Sequence, residues 1–186
     1  SFSSQTQVLN RQKQGSGMRP ISPWIDKYAG LIPKDQPVLD VACGSGRHSL
    51  FLLEQGFEVI AVDIDITAIA PNSGRTGLSI IQADLEGAPW LFTPASVGGI
   101  VVVNYLWRSL ISHLCDTLAP GGVLLYDTFA QGNEQYGRPR NPDFLLARGE
   151  LSDLLSGTFD ILDFFDGYTE NPVPAYRQSI TARKPL

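Results

Sequence analysis

Three carboxylates and one amide recur at the same kind of place in this chain. Asp40, Asp63, Asp84 and Asn104 fall at or just after the ends of short apolar runs, at 38–41, 57–62, 78–82 and 99–103. Asp40 is followed by Val41-Ala42-Cys43-Gly44-Ser45-Gly46-Arg47-His48-Ser49, in which Gly44 and Gly46 remove the Cβ atoms that would hold a ligand away from the backbone. The N–H groups of the helix start that follows can then hold polar ligand atoms. This is the chemistry of a nucleotide-cofactor turn. Asp63 comes about 20 positions after the turn, which suits a carboxylate that accepts hydrogen bonds from both hydroxyls of a ribose. Asp40 discriminates among nucleotides. A pyrophosphate at the turn would bring like charges within a few Å of each other in a partly desolvated cleft, whereas a cationic ligand is attracted there. A dinucleotide oxidoreductase is the rival reading, with Ser49 standing where a third fingerprint glycine belongs. A turn that only packs a helix onto a strand is the plainest one.

The elements that position these groups follow from the punctuation. Pro and Gly separate short β-branched runs from longer runs with helical spacing, and the two alternate, which predicts a parallel α/β sheet. Strands are expected at 38–41, 57–62, 78–82, 99–103 and 123–128. Helices are expected at 23–31, with Ser22 as cap and Pro23 at its first position, at 47–55 ending on Gly56, at 107–118 before Pro120-Gly121-Gly122, and at 144–155. The stretch 66–72 has room for a short helix at most. The region 132–142 is rich in Gly, Pro, Arg and Asn and reads as a loop of the length that marks a lid or binding segment. The runs at 158–165 and 175–183 are joined too closely for a parallel crossover, so they are expected to pair as an antiparallel hairpin.

Composition narrows the setting. A chain of 186 residues with 43% hydrophobic and 18% charged residues is long enough to bury a core as one domain, 1–186, with 1–20 as a polar segment able to act as a lid. No apolar run approaches the roughly 20 residues of a membrane span, and the start of the chain lacks a signal-peptide core, so a cytoplasmic protein without membrane contact is expected. Two cysteines suggest neither a disulfide framework nor a metal site. A formal net charge of −5 disfavours a broad grip on nucleic acid and favours a small or neutral substrate. The oligomeric expectation is a monomer or homodimer.

Asp40-Val41-Ala42-Cys43-Gly44-Ser45-Gly46, Val62-Asp63, Ala83-Asp84-Leu85, Val103-Asn104-Tyr105-Leu106 and Leu118-Ala119-Pro120-Gly121-Gly122 occur in an order that resembles the class I S-adenosylmethionine-dependent methyltransferases. Gly46-Arg47-His48-Ser49-Leu50-Phe51-Leu52, Gln55-Gly56-Phe57-Glu58-Val59 and Leu146-Ala147-Arg148-Gly149-Glu150-Leu151 are similar to the small tellurite-resistance-type methyltransferases within that class. The resemblance implies a Rossmann-like, three-layer αβα fold. Its seven strands would run in the order 3-2-1-4-5-7-6, mostly parallel, with the C-terminal hairpin antiparallel. It implies S-adenosylmethionine as cofactor, methyl transfer as the reaction and a small-molecule acceptor as the partner. Asp63 becomes the ribose acid with Ile64 beside it. Asp84 accepts from the adenine amino group, and Leu85 gives a backbone N–H and an apolar edge. Asp40, Ala42, Gly44, Ser45 and Gly46 face the methionine part, and Asn104 faces the methyl. A cofactor-binding module without catalysis, a sensor or a partner subunit, satisfies the same motifs.

Transfer from a sulfonium needs alignment and desolvation more than acid–base chemistry, so catalytic candidates are few. They are Asn104, Tyr105 and His48, the last a polar residue facing cofactor or solvent that is placed to accept a proton. Asn104-Tyr105-Leu106-Trp107 does not match the motif of amino-directed nucleic-acid methyltransferases. Arg108, Arg138 and Arg140 are candidates for an anionic acceptor, and Arg11, Lys13 and Arg19 for ordering over an occupied site, with solvated arginines as the default. Trp24 and Tyr28 share one helical face, suited to packing on the sheet or covering the pocket.

Overall fold

A buried strand with both faces covered organises the molecule. In the computed structural model, which describes residues 19–186, all seven residues of β4 (Val97–Val103) are buried. Its continuous apolar run is what a central parallel strand requires. β1 (Val38–Val41) and β5 (Leu118–Phe129) flank it, β2 (Val59–Asp63) and β3 (Leu78–Gln82) extend the sheet on one side, and β7 (Ala175–Arg183) and β6 (Asp160–Thr169) on the other. The order is β3-β2-β1-β4-β5-β7-β6, parallel throughout except for β5–β7 and β7–β6, as the sequence predicts. The direction of strand order reverses between β1 and β4, so their carboxyl ends open the crevice in which ligands of such sheets bind. The segment 1–18, with Arg11 and Lys13, lies outside the described residues.

Two apolar layers sandwich the sheet. Ile25 and Ala29, from α1 (Pro23–Tyr28) and the turn after it, pack with Leu52 of α2 (Arg47–Glu54), Val38, Val101 and Leu125 on one face. On the other face, Ile111 and Leu114 of α3 (Ile111–Thr117) and Leu151 and Leu155 of α4 (Glu150–Leu155) pack with Leu39, Ile100 and Leu124. The Ser22 hydroxyl caps α1 by accepting the Ile25 N–H, with Pro23 at the first helical position. Among the described residues no helix is long and apolar enough to cross a membrane.

Three segments differ from the sequence expectation. The helix expected at 144–155 begins only at Glu150, because Pro142–Phe144 forms a separate 3-10 turn, Leu145 turns extended after it and Leu146 forms a parallel bridge with Ala130 at the end of β5. Arg108 holds that stretch in place, donating to Asp143 O, Leu145 O and both Glu150 carboxylate oxygens. Strand 5 begins at Leu118 rather than at position 123: Pro120-Gly121-Gly122 lies within it as an irregularity between the pairs Val97–Leu118 and Gly99–Val123. The helix expected at 107–118 starts as a 3-10 turn at Arg108–Leu110 and becomes α-helical at Ile111. Between β2 and β3 only a 3-10 turn at Ala70–Asn72 forms, and fully buried Ile69 plugs the space under the glycine turn.

Gly99 shows how tightly α1 and its following turn sit on the sheet. A Cβ at this position would lie 2.6 Å from Ile32 Cγ2. Gly99→Ala is expected to lower the unfolding free energy by about 1–3 kcal/mol through overpacking. Urea denaturation at constant slope measures it, and Gly30→Ala, where a Cβ meets nothing within 4 Å, is the control.

Candidate functional site

β1 ends in a carboxylate that the sheet buries. Asp40 is 2% exposed, and its Oδ2 accepts the Ser49 hydroxyl at 2.6 Å, so the side chain in the third-glycine position of a dinucleotide fingerprint here anchors the strand-end acid. Ala42 and Gly44 take positive φ values of 55° and 57°, and Gly46 of 86°, which turns the chain sharply into α2. A Cβ on Gly46 would stand 2.5 Å from Ile69 Cδ1, so this glycine is required both for the backbone and for the plug behind it. Ser45 at the tip is exposed.

Asp63 closes the turn from the neighbouring strand. Its Oδ2 accepts the Gly44 N–H at 2.8 Å and its Oδ1 the Asp65 N–H at 3.2 Å, with only 3% of the residue exposed. Ile64 follows, half-buried, its carbonyl accepting from Gln82 Nε2. The Thr67 side chain, and the Thr67 N–H that donates to Asp65 Oδ1, hold the Asp65 carboxyl below its ordinary range. Asp84, at the end of β3, accepts the Glu86 N–H in a tight turn, and Leu85 packs on the sheet. Beside them a cleft runs between 83–91 and 107–113, lined by Asp84, Glu86, Trp90, Trp107 and His113. His113 stacks on Trp90, centroids 5.4 Å apart, so its role there is packing.

Two candidates sit otherwise than expected. His48 is 4% exposed rather than facing solvent, and its Nε2 accepts the Ser22 N–H at 2.9 Å. The lone pair a proton acceptor would use is therefore committed to holding the chain ahead of α1. Tyr105 is 5% exposed, and its hydroxyl meets Glu86 Oε2 at 3.2 Å, turned toward the Asp84 side of the crevice. Of the arginines, Arg108 is taken up by the Glu150 clamp, while Arg138 and Arg140 are exposed on the 132–142 loop. That loop is pinned to the hairpin by Tyr136, whose ring lies 5.5 Å from Tyr168 and 6.0 Å from Tyr176. The Trp24 and Tyr28 rings meet at a tilt with centroids 4.9 Å apart, and the Tyr28 hydroxyl donates to Asp163 on the outermost strand.

Asn104 leads to a network the sequence does not announce. It takes φ 55° at the end of β4, and its Oδ1 accepts from Arg177 Nη2 at 2.6 Å. Arg177 is 8% exposed and lies flat over Phe129, its Cζ 4.6 Å from the ring centroid. Its Nε donates to Asp127 Oδ1 at 2.9 Å and its Nη2 to Asp127 O at 3.2 Å. Asp127, 4% exposed, also accepts from Ser179 Oγ at 2.8 Å and from Ser22 Oγ at 2.7 Å. Burial by itself raises the Asp127 pKa, but the Arg177 charge and three side-chain hydrogen bonds outweigh it and leave the carboxyl below its ordinary range. The only signals in the sequence were a lone Asp ending an apolar strand and an Arg between Tyr and Gln in the last one.

The sheet order, the glycine turn and the strand-end acids together define the class I methyltransferase fold. Residues 38–122 match the family described as methyltransferase domain. The chain is 32% identical over 103 residues to the malonyl-[acyl-carrier protein] O-methyltransferase of Salmonella typhimurium, which covers 52% of this chain and 40% of that protein. It thus spans about two fifths of the length of that relative. A SAM-dependent methyltransferase of Methanosarcina mazei superposes with TM-score 0.69 at 20% identity, over 90% of this chain and all of that one. The 1,6-didemethyltoxoflavin-N1-methyltransferase of Burkholderia thailandensis, solved with its acceptor and S-adenosylhomocysteine, superposes with TM-score 0.68 at 21% identity, over 100% and 85%.

Asp127 should behave as a buried anion held by its partners. Because its folded pKa lies below the unfolded value of about 3.9, it contributes stability in full above that pH and loses it as pH falls through the lower folded value. Asp127→Asn leaves Arg177 buried without its counter-charge and is expected to cost about 3–5 kcal/mol at pH 7. Unfolding curves of both proteins should converge as the pH is taken below about 4, where the wild-type carboxylate begins to protonate.

Proposed function

We propose that this chain binds S-adenosylmethionine across the carboxyl ends of β1, β2, β3 and β4 and transfers its methyl group to a small-molecule acceptor. One observation carries the reading: two buried carboxylates, Asp40 and Asp63, bracket the glycine turn, Asp63 bonded to Gly44 N–H and Asp40 to Ser49. That donor and acceptor set fits a ligand with two ribose hydroxyls and a cationic tail, and repels a pyrophosphate. The small-molecule acceptor of the Burkholderia enzyme supports the same reading.

Within it, Asp63 accepts from the ribose hydroxyls with Ile64 alongside, Asp84 and Leu85 hold the adenine edge, and Ala42, Gly44, Ser45 and Gly46 surround the methionine part near Asp40. When bound, S-adenosylmethionine supplies a methyl group already activated on a sulfonium. The chain aligns the acceptor with that methyl, excludes water and fixes the backbone at Asn104, whose left-handed conformation turns the end of β4 toward the crevice. His48 has its Nε2 engaged with Ser22, so the transfer proceeds without a histidine base.

Calorimetry tests this directly. The chain is expected to bind S-adenosylmethionine and S-adenosylhomocysteine but not a nicotinamide dinucleotide. Asp63→Ala should weaken cofactor binding at least tenfold, equivalent to about 1.4 kcal/mol or more. Dinucleotide binding, or full affinity in Asp63→Ala, would refute the assignment. Cofactor binding with no methylated product across thiol, amine, oxyanion and carboxylate acceptors would favour the non-catalytic module.

A further inference from the structure

The Arg177 guanidinium is held on all sides but one. Its Nε and Nη2 are taken by Asp127 and Asn104 and its face by Phe129, while Nη1 makes no hydrogen bond among the described residues. The register places it at the mouth of the crevice. Val103 pairs with Asp127 and Phe129 with Arg177, so Arg177 stands two residues beyond the level at which β4 ends, bonded to Asn104. An arginine that is nine-tenths buried, held by Asp127 and Asn104 beyond the end of β4 and left with one N–H₂ group that makes no hydrogen bond among the described residues, offers a donor suited to an oxyanion. The guanidinium is already desolvated beside Asp127, so a ligand that meets it does not first have to strip a hydrated cation of water.

We propose, resting on the methyltransferase reading above, that Arg177 Nη1 binds one oxygen of an acceptor carboxylate, and that the product is a methyl ester. The second carboxylate oxygen uses a lone pair to form the O–CH₃ bond as the C–S⁺ bond of the cofactor breaks, and that bonding pair stays on sulfur, leaving neutral S-adenosylhomocysteine. The carboxylate loses its charge and no proton moves. This matches a site in which His48 Nε2 is committed to the backbone, because a carboxylate is already ionised at neutral pH and needs no base. It also accounts for the position of Asn104: the bond from Nη2 to its Oδ1 ties the arginine that would hold the acceptor to the strand end nearest the methyl.

The test uses the full chain saturated with S-adenosylhomocysteine and titrates hexanoate and benzoate against hexanamide and benzamide, which have the same shape without the charge. Both carboxylates are expected to bind at least tenfold more tightly than their amides. In Arg177→Met that ratio should fall to near one, and in Arg177→Lys to an intermediate value. With radiolabelled S-adenosylmethionine, label transferred to a carboxylate should be released as volatile methanol by alkali. A wild-type chain with no preference for carboxylates, or a preference that survives in Arg177→Met, overturns the proposal. If Arg177→Met does not fold, the wild-type ratio and Arg177→Lys decide. Saturation by S-adenosylhomocysteine is read first: its failure refutes the methyltransferase reading itself, whereas its success with equal binding of acids and amides refutes only the role of Arg177.

Discussion

One buried carboxylate ties the two halves of the crevice together. Asp127 is 4% exposed, and a charge so placed is tolerable only when it is paired and hydrogen-bonded. Its partners come from two distant parts of the chain: Ser22 ahead of α1, and Arg177 and Ser179 on β7. Satisfying the anion therefore fixes where α1 begins, how the antiparallel strand registers against β5, and, through Arg177 and Asn104, how β4 ends. His48 adds a further link, since the Ser22 whose hydroxyl reaches Asp127 also gives its N–H to the helix that follows the glycine turn. The helix after the glycine turn and the ends of β4, β5 and β7 are held by one connected set of hydrogen bonds.

The glycine turn solves a separate problem. A strand must leave the sheet and enter a helix within a few residues while leaving its backbone accessible. Positive φ at Ala42, Gly44 and Gly46 makes the bend, the Asp63 carboxylate takes the Gly44 N–H, and Ile69 packs from behind. Ala42 carries a side chain in a conformation that costs such residues of order 1 kcal/mol or more, a strain kept because the surrounding bonds fix it.

How much of this could be read in advance follows from sequence separation. The strands, the turn and the acids at Asp40, Asp63 and Asp84 depend on local pattern, an apolar run, a glycine pair, an acid at a set distance, while the strand order comes from the family resemblance those motifs carry. Arg177 and Asp127 meet only through the β5–β7 register, and Ser22 reaches Asp127 from 105 positions away, so no local pattern marks them. The helix expected from Phe144 fails for the same reason. Phe144, Leu145 and Leu146 are apolar because they fill the groove beside β5, where Arg108 donates to the Leu145 carbonyl, and that pattern mimics a helix face. At Pro120-Gly121-Gly122 the residues do signal a break, but the sheet absorbs it as an irregularity within one long strand.

The thin connection between β2 and β3 shapes how firmly the sheet is held from centre to edge. Every residue of β4 is buried, whereas β3 buries only Leu78 and leaves Ser79 and Gln82 exposed, with a single 3-10 turn where a covering helix would otherwise lie. Local opening free energies follow such differences in buried apolar contact. The backbone amides of β3 should thus exchange with solvent faster than those of β4. A ligand held by Asp84 would slow that exchange, so the edge strand is where occupancy of the site becomes a change in rigidity.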